Sequence, residues 1–274
     1  MSKKILILGK GYIGNRLLES MPAEITADRV NSLADALGLI EKYNPEVIIN
    51  CVGFTGERNV DDCELKPEKT LQANTIVPLL LAEACLRKNV KLVHISSGCI
   101  YHFDYNKPTP ISEKKEPDYF DLYYSRSKIY SEQALETLSR QYNILILRIR
   151  LPLDNRPASK NVLTKVLKFT KIIDTPNSIT YIPDFIDALK YLIKTDARGL
   201  FNVTNKGTLT YPDILKIYRR YRPEFQYEVM SHKGLTIKRT NLIMTSRKLE
   251  QAGFKMRSVR DILEECVKEY VSRL

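Results

Sequence analysis

The sequence predicts an α/β protein in which a doubly wound parallel sheet is followed by a smaller, mostly helical domain. Over the first 150 residues, short apolar segments alternate with segments of helical periodicity. The apolar segments have no polar face, which is typical of strands that helices cover on both sides of a parallel sheet. The alternation stops after Arg150, so we place the end of the sheet domain there.

Each element of the sheet domain follows from this alternation. Strands are predicted at 3–9, 24–26, 46–50, 91–96 and 144–149. Helices are predicted at 12–20, 31–43, 68–87 and 124–142. Pro22 closes the first helix and Pro45 introduces the third strand, because proline is poorly tolerated inside a helix.

Beyond Arg150 the pattern changes to a stretch rich in proline and asparagine, LPLDNRPASKN. After it we predict helices at about 162–170 and 183–194, a buried strand at 199–203 and a helical tail from Tyr211. The predicted division is therefore one domain over 1–150, which the chain rejoins over about 183–204, and a second domain over 151–274.

Composition excludes several classes of protein. The chain has 274 residues, of which 43% are hydrophobic and 27% charged, so it is neither disordered nor fibrous. No segment approaches the roughly 18 consecutive apolar residues of a membrane span, and we identify no signal peptide. Five cysteines without a CxxC pair indicate neither a disulfide framework nor a zinc site, so we expect a reducing, cytoplasmic location.

The chain is basic, with 43 Lys and Arg against 32 Asp and Glu and a net charge of +11. The basic residues are interleaved with acidic ones, which is typical of a solvated surface, so we expect no nucleic-acid partner. Only three histidines are present and they lie far apart in the sequence, so no metal site is expected.

A glycine motif joins the first strand to the first helix. Gly9, Gly11 and Gly14 form GxGxxG in this context, where they permit a tight turn, close approach of a pyrophosphate and close helix packing, respectively. Tyr12 and Ile13 complete the turn and are expected to contact the cofactor. The motif predicts a dinucleotide-binding domain of the Rossmann type.

The residues after the second strand bear on which nicotinamide cofactor binds. Asp28 and Arg29 stand side by side about 20 residues after the glycines. A carboxylate there binds a ribose hydroxyl and favours NADH, whereas an arginine pairs with a 2′-phosphate and favours NADPH. We favour NADPH because of Arg29 and the excess positive charge, with NADH as the alternative.

Candidate catalytic residues lie on the fourth strand and the helix that follows it. Tyr124 and Lys128 are spaced as Tyr-x-x-x-Lys, which places both side chains on one helix face. An ammonium beside a phenol lowers the phenol pKa from its usual value of about 10, so that the phenol can transfer a proton near neutral pH. Ser97 ends the preceding strand at the carboxyl edge of the sheet, where its hydroxyl can share a substrate carbonyl with the tyrosine.

The glycine motif, Ser97, Tyr124 and Lys128 together resemble the extended short-chain dehydrogenase/reductases over nearly the whole chain. Within that superfamily the chain resembles the bifunctional nucleotide-rhamnose synthases, which are 3,5-epimerase/4-keto-reductases acting on UDP- or dTDP-4-keto-6-deoxyglucose. Three segments carry this narrower resemblance: GFTGERNVDDCE (53–64), SGCIYHFD (97–104), and RLPLDNRPASKNVLTKV (150–166) leading to DTPNSIT (174–180).

The resemblance implies roles for further residues. It attributes epimerisation to Cys99 and Lys165, because these match the cysteine of the GCI segment and the lysine of the N-x-x-T-K segment. The cofactor site is expected to include Asn50, Cys51 and Val52. The substrate site is expected to include Thr55, Gly56, Arg58, Asn59 and Asn161. Domain 1–150 would then bind NADP(H), domain 151–274 the sugar nucleotide, and a homodimer is expected.

Other interpretations remain open at this stage. Cys99 can be a core residue, Lys165 a solvated one, and Arg58 with Asn59 an exposed loop pair. The enzyme can be a monofunctional dTDP-4-dehydrorhamnose reductase that relies on a separate epimerase. A dehydrogenase-like regulatory subunit without turnover is a third interpretation, although retention of Ser97, Tyr124 and Lys128 argues against it.

Overall fold

Strands and helices alternate from residue 5 to residue 149 in a computed structural model, which describes residues 3–231 and 240–274. The strands are β1 (Ile5–Leu8), β2 (Glu24–Thr26), β3 (Val47–Asn50), β4 (Lys91–Ser97), β5 (Ile144–Ile149), β6 (Pro152–Leu153), β7 (Lys171–Ile173), β8 (Thr180–Tyr181), β9 (Gly199–Asn202) and β10 (Glu228–Met230). The α-helices are α1 (Tyr12–Leu18), α2 (Leu33–Tyr43), α3 (Pro67–Leu71), α4 (Val77–Lys88), α5 (Tyr123–Ser139), α6 (Val162–Val166), α7 (Ile182–Lys194), α8 (Tyr211–Tyr221), α9 (Arg247–Gln251) and α10 (Val259–Val271).

The described residues form a six-stranded parallel sheet in the order β2-β1-β3-β4-β5-β9, which confirms the predicted fold class. β1 lies between β2 and β3 and pairs in parallel with both, for example through Leu8 with Thr26 and Asn50. The strand order therefore reverses between β1 and β3. The carboxyl ends of the strands at such a reversal border the crevice in which sheets of this type bind ligands.

The chain divides into two compact units. The first comprises residues up to Ile100 together with Pro117–Arg148 and Ile193–Phe201. The second comprises Tyr101–Glu116, Ile149–Leu192 and the residues from Asn202 onward. The predicted domain boundaries did not include the passage over 101–116, where Ile111 forms a bridge with Met244 and so belongs with the later part of the chain.

Local signals explain where the helices of the first unit begin and end. Ser32 and Asp35 form a capping box at the start of α2, which satisfies backbone N–H groups that have no partner in the first turn. Asn44 ends the same helix in the left-handed conformation, which asparagine tolerates better than most residues.

All four residues of β3 are buried, as its continuous apolar sequence predicts.

The helix predicted at 68–87 is interrupted. α3 and α4 are separated by a π-helical turn over Gln72–Ile76. Pro78 has no backbone N–H, so the α-helical hydrogen bond to the carbonyl of Asn74 cannot form and a wider turn takes its place. The prediction of one continuous α-helix is therefore wrong in its centre.

The second unit has its own core, which α6, α8 and α10 share. Leu163, Ile214, Ile262 and Cys266 are buried together in it. The helix predicted at 162–170 ends at Val166, because the chain turns there into the two-stranded pairing of β7 with β10. No helix among the described residues is long and apolar enough to cross a membrane.

Candidate active site

Two of the three glycines in the turn after β1 are required by the fold itself. Gly9 has a φ of +108°, and a Cβ built on it would lie 3.1 Å from the backbone of Cys51 and of Val52. A Cβ on Gly14 would lie 2.0 Å from the carbonyl oxygen of Gly9. Side chains at either position would therefore displace backbone, as the predicted roles in the turn and in helix packing require.

Gly11 is different, because neither its backbone conformation nor packing requires glycine at this position. Its φ of −85° suits any residue, and no atom lies within 4 Å of the position a Cβ would take. It stands at the start of α1, where no side chain caps the helix and where Tyr12 and Ile13 form the first turn. Open space beside uncapped N–H groups fits the pyrophosphate of a dinucleotide.

The loop after β3 faces this turn and is held by buried polar side chains. The side-chain oxygen of Asn50, Oδ1, accepts a hydrogen bond of 3.0 Å from the Val52 N–H, and its side-chain nitrogen, Nδ2, lies 3.2 Å from Nδ1 of His94. Burial holds the pKa of His94 well below its usual range, and the Lys128 charge acts in the same direction. Nδ1 of neutral His94 can therefore accept a hydrogen bond from the Asn50 side-chain amide. This bond fixes the orientation of the amide, so that its oxygen holds the loop through the Val52 N–H.

Cys51, in the same loop, is not suited to acid–base chemistry. Burial raises the pKa of its thiol to about 12, against the opposing effect of the Lys128 charge. The structure thus brings the predicted residues Cys51 and Val52 against Gly9, with Cys51 as an uncharged thiol and Asn50 directly before them.

The catalytic candidates of β4 and α5 are joined by hydrogen bonds. The Ser97 hydroxyl oxygen accepts a bond of 3.1 Å from the Cys99 N–H. The Ser125 hydroxyl donates a bond of 2.6 Å to the Cys99 carbonyl. The turn that carries Cys99 is therefore held at one end by Ser97 and at the other by the residue after Tyr124.

The Cys99 side chain belongs to a small apolar cluster. Phe54, Cys63 and Tyr124 are buried there, and Cys99 packs against them while remaining half-buried. Ser97 and Tyr124 are each 6% exposed. The structure therefore brings together the serine and tyrosine predicted for reduction and the cysteine predicted for epimerisation.

Lys128 lies one helical turn after Tyr124 and is 4% exposed. Its ammonium is 3.5 Å from the Ile95 carbonyl oxygen, and a Cβ built on Gly53 would lie 3.4 Å from it. Burial lowers the pKa of Lys128 to about 8, while the Glu132 carboxylate acts in the opposite direction. With a pKa of about 8 the group is mostly charged at neutral pH and loses its charge in mildly alkaline solution.

Sequence reasoning missed a buried ion pair beneath these residues. Arg148 donates hydrogen bonds of 3.0 and 2.6 Å to one oxygen of Glu132, and both side chains are 1% exposed. The other oxygen of Glu132 accepts a bond of 2.6 Å from Ser96. Only two signals of this pair were present in the sequence: Glu132 lies one turn after Lys128, and Arg148 lies within an apolar strand.

Asn74 lies in the π-helical turn, where its buried side chain has a defined position. Its amide exchanges hydrogen bonds of 2.8 and 2.9 Å with the backbone of Phe54 and donates one of 3.0 Å to Ser127. It therefore ties the loop after β3 to the helix that carries Tyr124 and Lys128.

Most of the residues in the loop after β3 that are predicted to bind substrate form contacts within that loop. Gly56 has a φ of +72°, and a Cβ there would overlap the Asn59 carbonyl. Asn59 caps a short 3-10 turn (Val60–Cys63) through a 2.8 Å bond from the Asp61 N–H. Arg58, whose side chain is 79% exposed, pairs with Asp62 at 2.7 Å. Thr55 is half-buried beside them.

The remaining predicted residues lie elsewhere. Arg29 is exposed just after β2. In the second unit, Asn161 caps α6. The oxygen and the nitrogen of its side-chain amide both form hydrogen bonds to the loop before this helix. Lys165 is half-buried on the same helix. Substrate contact by Asn161 stays a prediction. Among the described residues, no group of three or more His, Cys, Asp or Glu could hold a metal ion.

The whole chain from residue 3 to residue 272 matches the family described as RmlD substrate binding domain. The chain belongs to this family. A curated relative in Arabidopsis thaliana, a bifunctional dTDP-4-dehydrorhamnose 3,5-epimerase/dTDP-4-dehydrorhamnose reductase, is 29% identical over 98% of this chain and 93% of its own length.

Longer relatives also match. A trifunctional UDP-glucose 4,6-dehydratase/UDP-4-keto-6-deoxy-D-glucose 3,5-epimerase/UDP-4-keto-L-rhamnose-reductase of Arabidopsis thaliana is 29% identical over 98% of this chain. The match covers 42% of that protein, so this member of the RmlD family spans about two fifths of the length of the trifunctional relatives.

Solved structures share the fold. The UDP-rhamnose synthase from Acanthamoeba polyphaga mimivirus superposes with a TM-score of 0.90, at 24% identity, over 98% of this chain and 100% of its own. A dTDP-4-dehydrorhamnose reductase from Bacillus anthracis, solved in complex with NADP, gives a TM-score of 0.82 at 20% identity over 100% of both chains.

Proposed function

We propose that this protein is an NADPH-dependent reductase of a nucleotide-linked 4-keto-6-deoxy sugar that also epimerises the sugar at C3 and C5. The observation that carries the proposal is the hydrogen-bonded group of Ser97, Cys99 and the first turn of α5, with Tyr124 and the buried Lys128 on that helix. The open space at Gly11 supports a dinucleotide next to it.

Reduction needs a proton donor and a group that holds the developing negative charge. When bound, NADPH supplies the hydride that adds to the carbonyl carbon C4. Tyr124 donates the proton that the resulting alkoxide takes, and Ser97 hydrogen-bonds the same oxygen. Lys128 holds a positive charge one turn from the phenol, which stabilises its ionised form after the transfer.

Epimerisation uses the same carbonyl. A C4 ketone acidifies the hydrogens on C3 and C5, because the electron pair left by each proton is delocalised onto the ketone oxygen as an enolate. Ser97 and Tyr124 stabilise that oxygen. A base must take each proton, and an acid must return one to the opposite face of the carbon. We assign this acid to Cys99, which packs against Tyr124, and the base to Lys165, the other residue predicted for epimerisation.

The named activities of relatives support the choice of substrate. The bifunctional relative, which this chain matches over 93% of that protein, is named for the epimerase and the reductase steps. The trifunctional relatives are named for UDP-linked sugars and the bifunctional one for dTDP-linked sugars. We therefore propose UDP- or dTDP-4-keto-6-deoxyglucose as substrate, with the UDP form favoured, and NDP-L-rhamnose as product.

Two substitutions separate the two activities. Tyr124→Phe is expected to lower hydride transfer by about a hundredfold or more while leaving hydrogen exchange at C3 and C5 measurable. Cys99→Ala is expected to abolish inversion at C3 and C5 of the 4-keto-6-deoxyglucose nucleotide, as observed by NMR. The variant should still reduce a pre-epimerised 4-keto-L-rhamnose nucleotide at close to the wild-type rate. NADPH oxidation and deuterium exchange, followed by NMR, measure the two steps.

Cys63→Ala is the matched control, because it removes a thiol from the same apolar cluster without a proposed role in chemistry. It should alter exchange and reduction to the same extent. Full epimerisation by Cys99→Ala would show that another residue is the acid. Equal loss of both steps in Cys99→Ala would show that the residue supports only the packing around Tyr124.

A further inference from the structure

We propose that Lys42 on α2 determines the preference for NADPH by holding the Asp28 carboxylate, so that the 2′-phosphate of the cofactor is bound by Arg29 without repulsion from Asp28. The inference rests on the proposed function, because it concerns the cofactor of that reaction. It assigns a specificity-determining role to a residue far in sequence from the glycine turn.

Asp28 occupies the position from which a carboxylate can bind the adenosine ribose, but its side chain is already engaged. One of its oxygens lies 3.0 Å from the Lys42 ammonium and 3.4 Å from the Tyr43 hydroxyl. Its backbone N–H donates a 3.1 Å bond to the Thr26 hydroxyl, which fixes the start of the loop after β2. The Lys42 hydrogen bond, above all, lowers the pKa of Asp28, so the carboxylate stays ionised and paired.

An unpaired carboxylate at this place would act in two ways. It would accept hydrogen bonds from the 2′- and 3′-hydroxyls of NADH, and it would repel the 2′-phosphate of NADPH. Pairing with Lys42 reduces both effects. The lysine thus converts a position that by itself favours NADH into one that tolerates a phosphate.

Arg29, the next residue, supplies the attraction. It is exposed and forms no hydrogen bond or ion pair within the described part of the chain. Its guanidinium can therefore bind two phosphate oxygens at once. Asp28, Arg29 and Lys42 together carry one net positive charge, which suits a 2′-phosphate and not a pair of ribose hydroxyls.

The ion pair is exposed, so it can be altered without unfolding the protein. The side chains of Lys42 and Asp28 are 61% and 44% exposed. Pairs of this kind contribute little to stability. A change in cofactor preference on substitution would therefore report on ligand binding and not on the fold.

The test uses two adenosine probes that do not depend on catalysis, adenosine 2′,5′-bisphosphate and adenosine 5′-monophosphate. Lys42→Met is expected to weaken binding of the bisphosphate about tenfold relative to the monophosphate, measured by calorimetry. The ratio of kcat/KM for NADPH to that for NADH should fall by a similar factor. Lys42→Arg, which keeps the charge, should preserve both ratios.

The double variant Lys42→Met with Asp28→Asn tests the mechanism. If Lys42 acts by holding Asp28, removing the carboxylate as well should restore most of the preference for the bisphosphate. Lys88→Met is the matched control, because it removes an exposed lysine that pairs with Glu41 at 3.1 Å in the same unit and should leave the ratio unchanged.

An unchanged ratio in Lys42→Met, or no restoration in the double variant, would overturn the inference. The latter result would mean that Lys42 contacts the phosphate itself. These failures differ from failure of the proposed function, in which the wild-type protein would bind neither probe and would not oxidise NADPH with the 4-keto sugar.

Discussion

At the scale of single residues, the site depends on polar groups that are buried and matched to one another. Asn50 and His94 lie opposite each other in the pairing of β3 with β4, and both side chains are completely buried. A buried amide must find partners, and neutral His94 gives Asn50 an acceptor on one side while Val52 gives it a donor on the other. The loop after β3 is therefore fixed from within the sheet.

Lys128 leads to a prediction about pH. In the proposed mechanism the free enzyme requires the ammonium form of Lys128. Because the pKa of Lys128 is lowered to about 8, kcat/KM should fall as the pH rises through that value. Lys128→Arg keeps its charge at all accessible pH values, so its kcat/KM, although lower, should show no such decline. An unchanged alkaline decline in Lys128→Arg would assign the titration to another group.

Residues could be predicted from the sequence where their signals are local. Gly9, Gly14, Tyr124 and Lys128 form short-range spacings whose meaning depends only on the strand or helix that contains them. The pair of Glu132 and Arg148 could not be predicted, because it joins residues of different elements whose contact depends on the completed sheet. His94 gave a weaker signal, as a polar residue between the apolar Val93 and Ile95.

At the scale of elements, the strand-turn-helix unit of β1 and α1 gives a contrasting pair of variants. Gly11→Ala adds a methyl group to open space, so the thermal midpoint should stay within about 2 °C of wild type while the KM for NADPH rises about tenfold or more. Gly14→Ala places the methyl group against the Gly9 carbonyl and should lower the midpoint by about 4 °C or more.

Thermal unfolding and steady-state kinetics measure the two effects. If Gly11→Ala retained the wild-type KM for NADPH, the open space beside α1 would not be where the cofactor binds. If Gly14→Ala were as stable as wild type, the close approach of α1 to β1 would not be a requirement of the fold.

The observed elements differ from the predicted ones where a proline interrupts a helix or where a short strand forms only by pairing with a distant segment. The long amphipathic pattern of 68–87 predicted one helix, but Pro78 removes a hydrogen bond inside it and a π-helical turn results. β6, β7, β8 and β10 have two or three residues each, too few to show any periodicity. Their existence depends on partners distant in sequence, such as Lys171–Ile173 with Glu228–Met230.

At the scale of the whole molecule, the continuous sheet was the feature most accessible from sequence. The apolar segment at 199–203 was predicted as a buried strand, and β9 joins the sheet beside β5 although about 50 residues separate them. The sequence did not indicate that residues 101–116 belong to the second unit, because the residues they pair with, around Met244, lie far along the chain. The homodimer and the cytoplasmic location stay predictions.

The most direct measurement is incubation of the protein with UDP-4-keto-6-deoxyglucose and NADPH in deuterated water, with NADPH consumption and deuterium at C3 and C5 both recorded. Epimerisation exchanges the C3 and C5 hydrogens with solvent, whereas the hydride at C4 comes from NADPH, so the account predicts NADPH consumption with deuterium at C3 and C5. Consumption without deuterium would contradict epimerisation. If NADPH were not consumed and no deuterium were incorporated, the proposed function as a whole would be contradicted.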